Sequence, residues 1–281
     1  MLIISNISEM KAWASDTRAH KLEIGFVPTM GYLHDGHLSL TQCARTENER
    51  VVVSIFVNPT QFGQNEDLGR YPQDYEGDRR KLENAGVDVL FYPQASEIYG
   101  AGFQTFVNVE EISRPLCGIS RPGHFRGVAT IVLKLLNIVS PDRAYFGQKD
   151  FQQLQVIRTM VRDLNVSTEI VSCPIVREPD GLAMSSRNAY LNDSERAQAP
   201  VLYESMVLAK MLFGSGETSP EIIQKSIIDR IAREPDASID YARLVDPTTL
   251  EDVKKVQIGT VIALAVKMGK TRLIDNMVLE H

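Results

Sequence analysis

Short apolar runs alternate with amphipathic, helix-like stretches between residues 24 and 172, and this constrains the fold more than any other feature of the chain. Strand-like runs at Ile24 to Val27, Val51 to Val57, Val87 to Phe91, Ala144 to Phe146 and Glu169 to Ser172 are interleaved with helical candidates at His37 to Thr46, Tyr75 to Ala85, Val128 to Ile138 and Asp150 to Leu164. Strands separated by whole helices pair through crossovers rather than hairpins, so the pattern predicts a parallel sheet with helices on both faces. In an α/β sheet of this kind ligands bind in a crevice beyond the carboxyl ends of the strands.

The texture changes after Pro174. A polar, turn-rich run leads to two helical stretches, Asp193 to Phe213 and Pro220 to Arg233, separated by GSGETS, and then to strands at Ile239 to Val245, Val261 to Val266 and Arg272 to Ile274. The expected organisation is an α/β domain over residues 1–176 and a smaller α+β domain over 177–281. The sequence MSSRN, Met184 to Asn188, then sits near the start of the second domain, on what reads as a mobile surface loop.

With 281 residues the chain is long enough for two domains, and its 30 Lys+Arg against 36 Asp+Glu leave a net charge of −6. That balance gives no general attraction to nucleic acid. No run approaches the ~18 apolar residues that a membrane span requires, and the opening MLIISNISEMKAW soon becomes charged. Three widely spaced cysteines, Cys43, Cys117 and Cys173, suit a reducing compartment better than a disulfide framework. The expected location is therefore cytoplasmic. Leu279, Glu280 and His281 are given no function.

Directly after the first apolar run comes TMGYLHDGH, Thr29 to His37. Pro28, Gly31 and Gly36 predict a turn that ends where His37 begins a helix. An imidazole there lies beside the unpaired N–H groups and the positive end of the helix dipole, a ready seat for phosphate oxygens. His34, one turn earlier, is placed to share the ligand. The alternatives are two surface histidines flanking a turn, or half of a zinc site, but His20, His124, His281 and the cysteines offer no complementary spacing. In MSSRN, Ser185 and Ser186 bring hydroxyl donors and Arg187 a planar fork that matches phosphate. Gly269-Lys270-Thr271 mimics the end of a P-loop, yet Leu264 stands where its first glycine is needed.

Taken together, TMGYLHDGH, SIFVNPTQF (Ser54 to Phe62), RPGHFRGV (Arg121 to Val128), FGQKDFQQL (Phe146 to Leu154) and GLAMSSRN (Gly181 to Asn188) resemble pantothenate synthetases. The likeness runs from about residue 20 to 192 and continues more weakly to RLIDN, Arg272 to Asn276. It implies a Rossmann-like α/β fold of the nucleotidyltransferase group with a smaller C-terminal α+β domain. The implied reaction is the ATP-dependent condensation of pantoate with β-alanine through a pantoyl-adenylate, releasing AMP and pyrophosphate. The resemblance also implies magnesium with the ATP, a homodimer, and no nucleic-acid or membrane partner.

Carried over by position, the ATP-binding residues are Met30, Gly31, Tyr32, Leu33, His34, Asp35, Gly36 and His37, then Gly147, Gln148, Lys149 and Asp150, Val176 through its backbone, and Met184, Ser185, Ser186 and Arg187. Of these, His37, His34, Lys149, Ser185, Ser186 and Arg187 are the catalytic candidates, with the imidazoles and the hydroxyls gripping one triphosphate. Gln61 and Gln153 are the implied pantoate amides, and Gln61 also the β-alanine contact. Asp78, in YPQDYEGDRR, takes the metal-associated position, although Gln73 departs from the usual arginine there. Read from the residues alone, Asn58 and Gln61 could equally cap a loop, Asp78 could belong to a solvated face with Arg79, Arg80 and Lys81, and Arg121 and His124 could line a turn. Two other classes stay open at this point: a plain nucleotidyltransferase with a phosphate-bearing acceptor, and a non-catalytic nucleotide-binding module.

Overall fold

The computed structural model describes residues 1–64 and 66–280; His281 therefore lies outside the described residues. In chain order the elements are β1 (Leu2–Ile4), α1 (Ile7–Ala19), β2 (Ile24–Thr29), α2 (Asp35–Glu47), β3 (Arg50–Ile55), α3 (Tyr75–Asn84), β4 (Val89–Phe91), α4 (Ala95–Ile98), α5 (Cys117–Ser120), α6 (His124–Val139), β5 (Arg143–Gly147), α7 (Phe151–Asp163) and β6 (Glu169–Cys173). There follow α8 (Asp193–Gln198), α9 (Val201–Gly214), α10 (Pro220–Ile231), β7 (Ala237–Val245), β8 (Val261–Met268) and β9 (Thr271–Val278). Contacts divide the chain into two compact units, one of residues 1–148 with 153–174 and one of 149–152 with 175–281.

The first unit is built on a six-stranded sheet in the order β1-β4-β3-β2-β5-β6, parallel throughout. Val51, Val53 and Ile55 of β3 and Val27 of β2 join Leu40 and Ala44 of α2 and Leu82 of α3 in one core. Because side chains alternate along a strand, Phe26 and Val52 point to the opposite face, where α1 and α6 pack on β2 and on each other. Burial of both faces explains why these strands read as continuous apolar runs rather than alternating ones. The chain leaves β2 toward β3 on one side and returns to β5 on the other, so the order reverses between β2 and β5. That reversal opens the crevice at which an α/β sheet binds ligands; the histidine loop follows β2, and Gly147 ends β5.

The second unit holds an antiparallel sheet, β7-β8-β9, covered by α9 and α10. Ile262, Leu264 and Val266 of β8 meet Met206 and Ala209 of α9 and Ile223, Ile227 and Ile231 of α10 in its core. Leu279, given no function above, is fully buried there.

Several elements differ from expectation. β1 and α1 escape the sequence pattern because a three-residue strand has no readable period and α1 buries only Met10, Ala14 and Thr17. The helix predicted over Asp193 to Phe213 is two helices, since Pro200 has no N–H to continue the ladder and α9 restarts beyond it. Pro28, read as part of the turn, is the fifth residue of β2 and pairs with Ser54.

Candidate functional site

The loop between β2 and α2 turns through two left-handed residues, Gly31 (φ 86°) and Tyr32 (φ 51°). The helix then begins at Asp35 rather than at His37: His34 is its N-cap residue, in extended backbone, and His37 occupies the third helical position. The His34 N–H donates to His37 Nδ1 at 3.4 Å, and the two rings lie 4.1 Å apart between centroids. A neutral His37 therefore carries its proton on Nε2, where it serves as a donor. Together with the first-turn N–H groups of α2, the pair makes a donor-rich helix terminus suited to phosphate.

Beneath this loop lies Asp78 of α3, only 1% exposed. Its Oδ2 accepts the Tyr32 N–H at 2.6 Å and its Oδ1 the Leu33 N–H at 2.7 Å, while Lys81 Nζ donates to the Leu33 carbonyl at 2.6 Å. Burial raises the Asp78 carboxyl above its ordinary value, against the two N–H bonds and the Lys81 charge. A cavity of about 200 Å³ runs beside it, lined by Met30, Tyr32, Phe56, Asp74 and Tyr92 among others. Asp78 does not fit a magnesium ligand, because each of its oxygens already accepts a backbone N–H of the loop.

Gln61 sits in a 3₁₀ turn, Pro59–Gln61, after β3. Its Nε2 donates to the Met30 sulfur at 3.2 Å and its Oε1 accepts from Asn58 Nδ2 at 2.9 Å. A thioether is a weak acceptor, so the Gln61 amide donor is readily given over to a substrate oxygen. Asn58 is itself locked, accepting from Thr60 and from the Tyr99 hydroxyl at 2.7 Å and donating to the Gly127 carbonyl. His124 Nδ1 donates to the Gln61 carbonyl at 2.9 Å, and its Nε2 faces Arg121 Nη1 at 3.0 Å, which fixes the neutral Nδ1–H tautomer. Arg121 also pairs with Glu66; burial works against that carboxylate, but the hydrogen bonds and charge of Arg121 outweigh it and the net shift is downward. His124 thus ties down the turn that carries Gln61, and Arg121 backs His124. Gly147 ends β5, Gln148 follows it, and Gln153 lies half-buried on the first turn of α7.

In the second unit the expected mobile loop is a hydrogen-bonded hairpin. Arg177 bridges Ala183, Met184 N–H donates to the Val176 carbonyl at 3.0 Å, and Glu178 N–H donates to that of Leu182 at 2.8 Å. Gly181 closes the turn with φ 94°, where a Cβ would lie 2.2 Å from the Tyr203 ring. Ser185 then caps a 3₁₀ turn, Ser186–Tyr190, accepting from the Arg187 N–H at 3.3 Å, and Ser186 is buried. The hairpin is fastened by Arg177, which pairs with Asp275 through both of its terminal nitrogens, at 2.6 and 3.0 Å, and lies over Tyr203. Burial raises the Asp275 carboxyl, against the Arg177 bonds and charge. Asn276, next along β9, donates to the Lys149 carbonyl at 2.9 Å, and Lys149 Nζ lies 3.9 Å from Asp150. The sequence of RLIDN carries only a resemblance, and nothing in it singles out Arg177 and Asp275 as a pair.

The pantoate-beta-alanine ligase family matches residues 2–278. The chain belongs to that family. A pantothenate synthetase of Thermotoga neapolitana is 57% identical over 99% of this chain and all of the relative, and one of Geobacter sulfurreducens 55% identical over 99% of both. A solved pantothenate synthetase of Thermus thermophilus superposes with a TM-score of 0.94 at 44% identity, covering both chains completely. A pantoate-beta-alanine ligase of Francisella tularensis, complexed with beta-gamma ATP and beta-alanine, gives 0.81 at 37% identity over 100% of this chain and 98% of its own. Family membership spans both units, so the hairpin segment belongs to the matched region as fully as the histidine loop does.

Cys43, Cys117 and Cys173 are free, and burial pushes the Cys173 thiol up to about 12, which suits packing rather than nucleophilic attack. Among the described residues no helix is long and apolar enough to cross a membrane.

Proposed function

We propose that the chain condenses pantoate with β-alanine, consuming ATP and releasing AMP and pyrophosphate. The single observation that carries this reading, beyond family membership, is the His34–His37 pair on the first turn of α2 at the sheet's switch point. A pantoate carboxylate oxygen attacks the α-phosphorus; the new P–O bond forms as the bond to the β-phosphate bridging oxygen breaks and pyrophosphate leaves. Charge gathers on phosphate oxygens, so preset donors lower the barrier more than a general acid or base would. His37, with His34, supplies them from the first unit. Lys149, Ser185, Ser186 and Arg187 supply them from the second, with the backbone of Met30 to Gly36, Gly147 to Asp150, Val176 and Met184 shaping the nucleotide seat.

The β-alanine nitrogen, as the free amine, then attacks the acyl carbon of the pantoyl-adenylate; the C–N bond forms, the C–O bond to AMP breaks and the nitrogen loses a proton. Gln61 and Gln153 are proposed to hold pantoate, Gln61 also meeting β-alanine, since an amide donates and accepts at once. Magnesium is proposed to arrive with ATP, and no step here runs through it. A cytoplasmic homodimer is the proposed working form; the free cysteines support the compartment. Incubation with ATP, magnesium and pantoate, with and without β-alanine, tests the activity. AMP and pantothenate are expected to rise together only when β-alanine is present, and AMP release indifferent to β-alanine would reject the ligase reading.

A further inference from the structure

We infer that Asp78 and Lys81 are positioning residues for the histidine loop, acting through the backbone of Tyr32 and Leu33, and that Asp78 is not a magnesium ligand. The inference rests on the proposed phosphate role of that loop. Tyr32 holds a left-handed backbone that a bulky L-residue rarely adopts unaided, so an outside contact must hold it there. Asp78 is that contact, one carboxylate oxygen to each of two successive N–H groups at 2.6 and 2.7 Å. Lys81 lies three residues on, hence on the same face of α3, and takes the Leu33 carbonyl at 2.6 Å.

Both ends of Leu33 are thus gripped by groups of opposite polarity, while its side chain is buried in the core shared with α2 and α3. Gly31 is part of the fit, because a Cβ there would sit 3.1 Å from Asp78 Oδ2. The next residue is His34, whose N–H meets His37 Nδ1. A continuous path therefore leads from Asp78 through the Leu33 backbone to the imidazole proposed to meet phosphate. Magnesium keeps several waters and needs a carboxylate turned toward them. Asp78 is turned toward the loop instead.

Asp78→Asn keeps the shape but offers one acceptor where two N–H groups need one each. We expect kcat to fall on the order of 10²-fold, the scale of a misplaced reacting group, with the half-saturating magnesium concentration at fixed ATP within about two-fold of wild type. Lys81→Met, at an exposed position that tolerates substitution, is expected to lower kcat in the same direction by roughly ten-fold. Asp78→Glu, which keeps two acceptor oxygens, is expected to recover part of the loss. Hydrogen exchange at the Tyr32 and Leu33 amides reads the brace without turnover and is expected to quicken by about ten-fold or more in Asp78→Asn. Wild-type enzyme assayed alongside separates the two ideas, since loss of β-alanine-dependent AMP there defeats the ligase reading while the exchange result still judges the brace. A magnesium requirement raised ten-fold in Asp78→Asn with kcat restored at high magnesium would overturn the inference, as would unchanged exchange, or wild-type kcat in Lys81→Met.

Discussion

Gly127 occupies a place where a methyl group does not fit: its Cβ would lie 2.4 Å from the Thr60 carbonyl oxygen and 2.7 Å from Gln61 Cα. That close approach lets α6 lie against the Pro59–Gln61 turn and sets where the Gln61 amide points. Gly127→Ala is expected to push the turn away, destabilising the fold by about 1–3 kcal/mol and raising KM for pantoate more than KM for ATP. Thermal melts and steady-state kinetics check this, and an unchanged pantoate KM would detach Gln61 from that substrate. The second glycine of RPGHFRGV thus has a reason that its sequence does not reveal, because the atoms it must avoid lie far away in the chain. His34 and His37 are legible, since a Gly-bearing turn after an apolar run is a local signal. Tyr32 is not, because its left-handed backbone is imposed by Asp78, 46 residues downstream. Asp78 is hard to read for a related reason: its charged neighbours suggest a solvated face, and only the packed structure buries it under the loop.

At the scale of elements, the hairpin carrying Met184 to Arg187 is held by the Arg177–Asp275 pair, 98 residues apart and with Asp275 1% exposed on its side chain. Removing one partner of such a pair strands the other charge. Arg177→Met is expected to destabilise the protein by about 3–5 kcal/mol and to loosen the serine-bearing turn. The pH dependence has a definite sign. Burial already raises the Asp275 carboxyl in the folded state, and without Arg177 it rises further. The folded state of the variant then binds that proton more tightly than the unfolded chain, so its stability deficit against the wild type is smallest below the ordinary carboxylate range and widens as pH climbs through the raised value. Denaturant unfolding of the variant and the wild type at several pH values measures this, and a deficit that narrows as pH rises would contradict the assignment. Glu178, Pro179, Asp180 and Gly181 signal a turn, and a turn is there. The pairing on either side of it escapes a reading of the sequence, because the partner that stiffens the hairpin comes from β9.

For the whole molecule, the alternating pattern from Ile24 to Ser172 is enough to give the parallel sheet and the crevice at its switch point. Strand-like runs also mark the three strands of the second unit, while their antiparallel pairing is seen only in the structure. Contacts assign Lys149 to Gln152 to the second unit, where Asn276 meets the Lys149 carbonyl. No boundary signal marks those four residues, since they run into α7 without a turn-forming glycine or proline. Adenylation is the step for which the phosphate donors are proposed. Pantoate-dependent exchange of labelled pyrophosphate into ATP, without β-alanine, isolates that step. Exchange is expected for the wild type, with losses of about 10²–10³-fold in both His37→Ala and the Ser185→Ala, Ser186→Ala double variant while each remains folded. Exchange without pantoate, or at the wild-type rate in either variant, would contradict it.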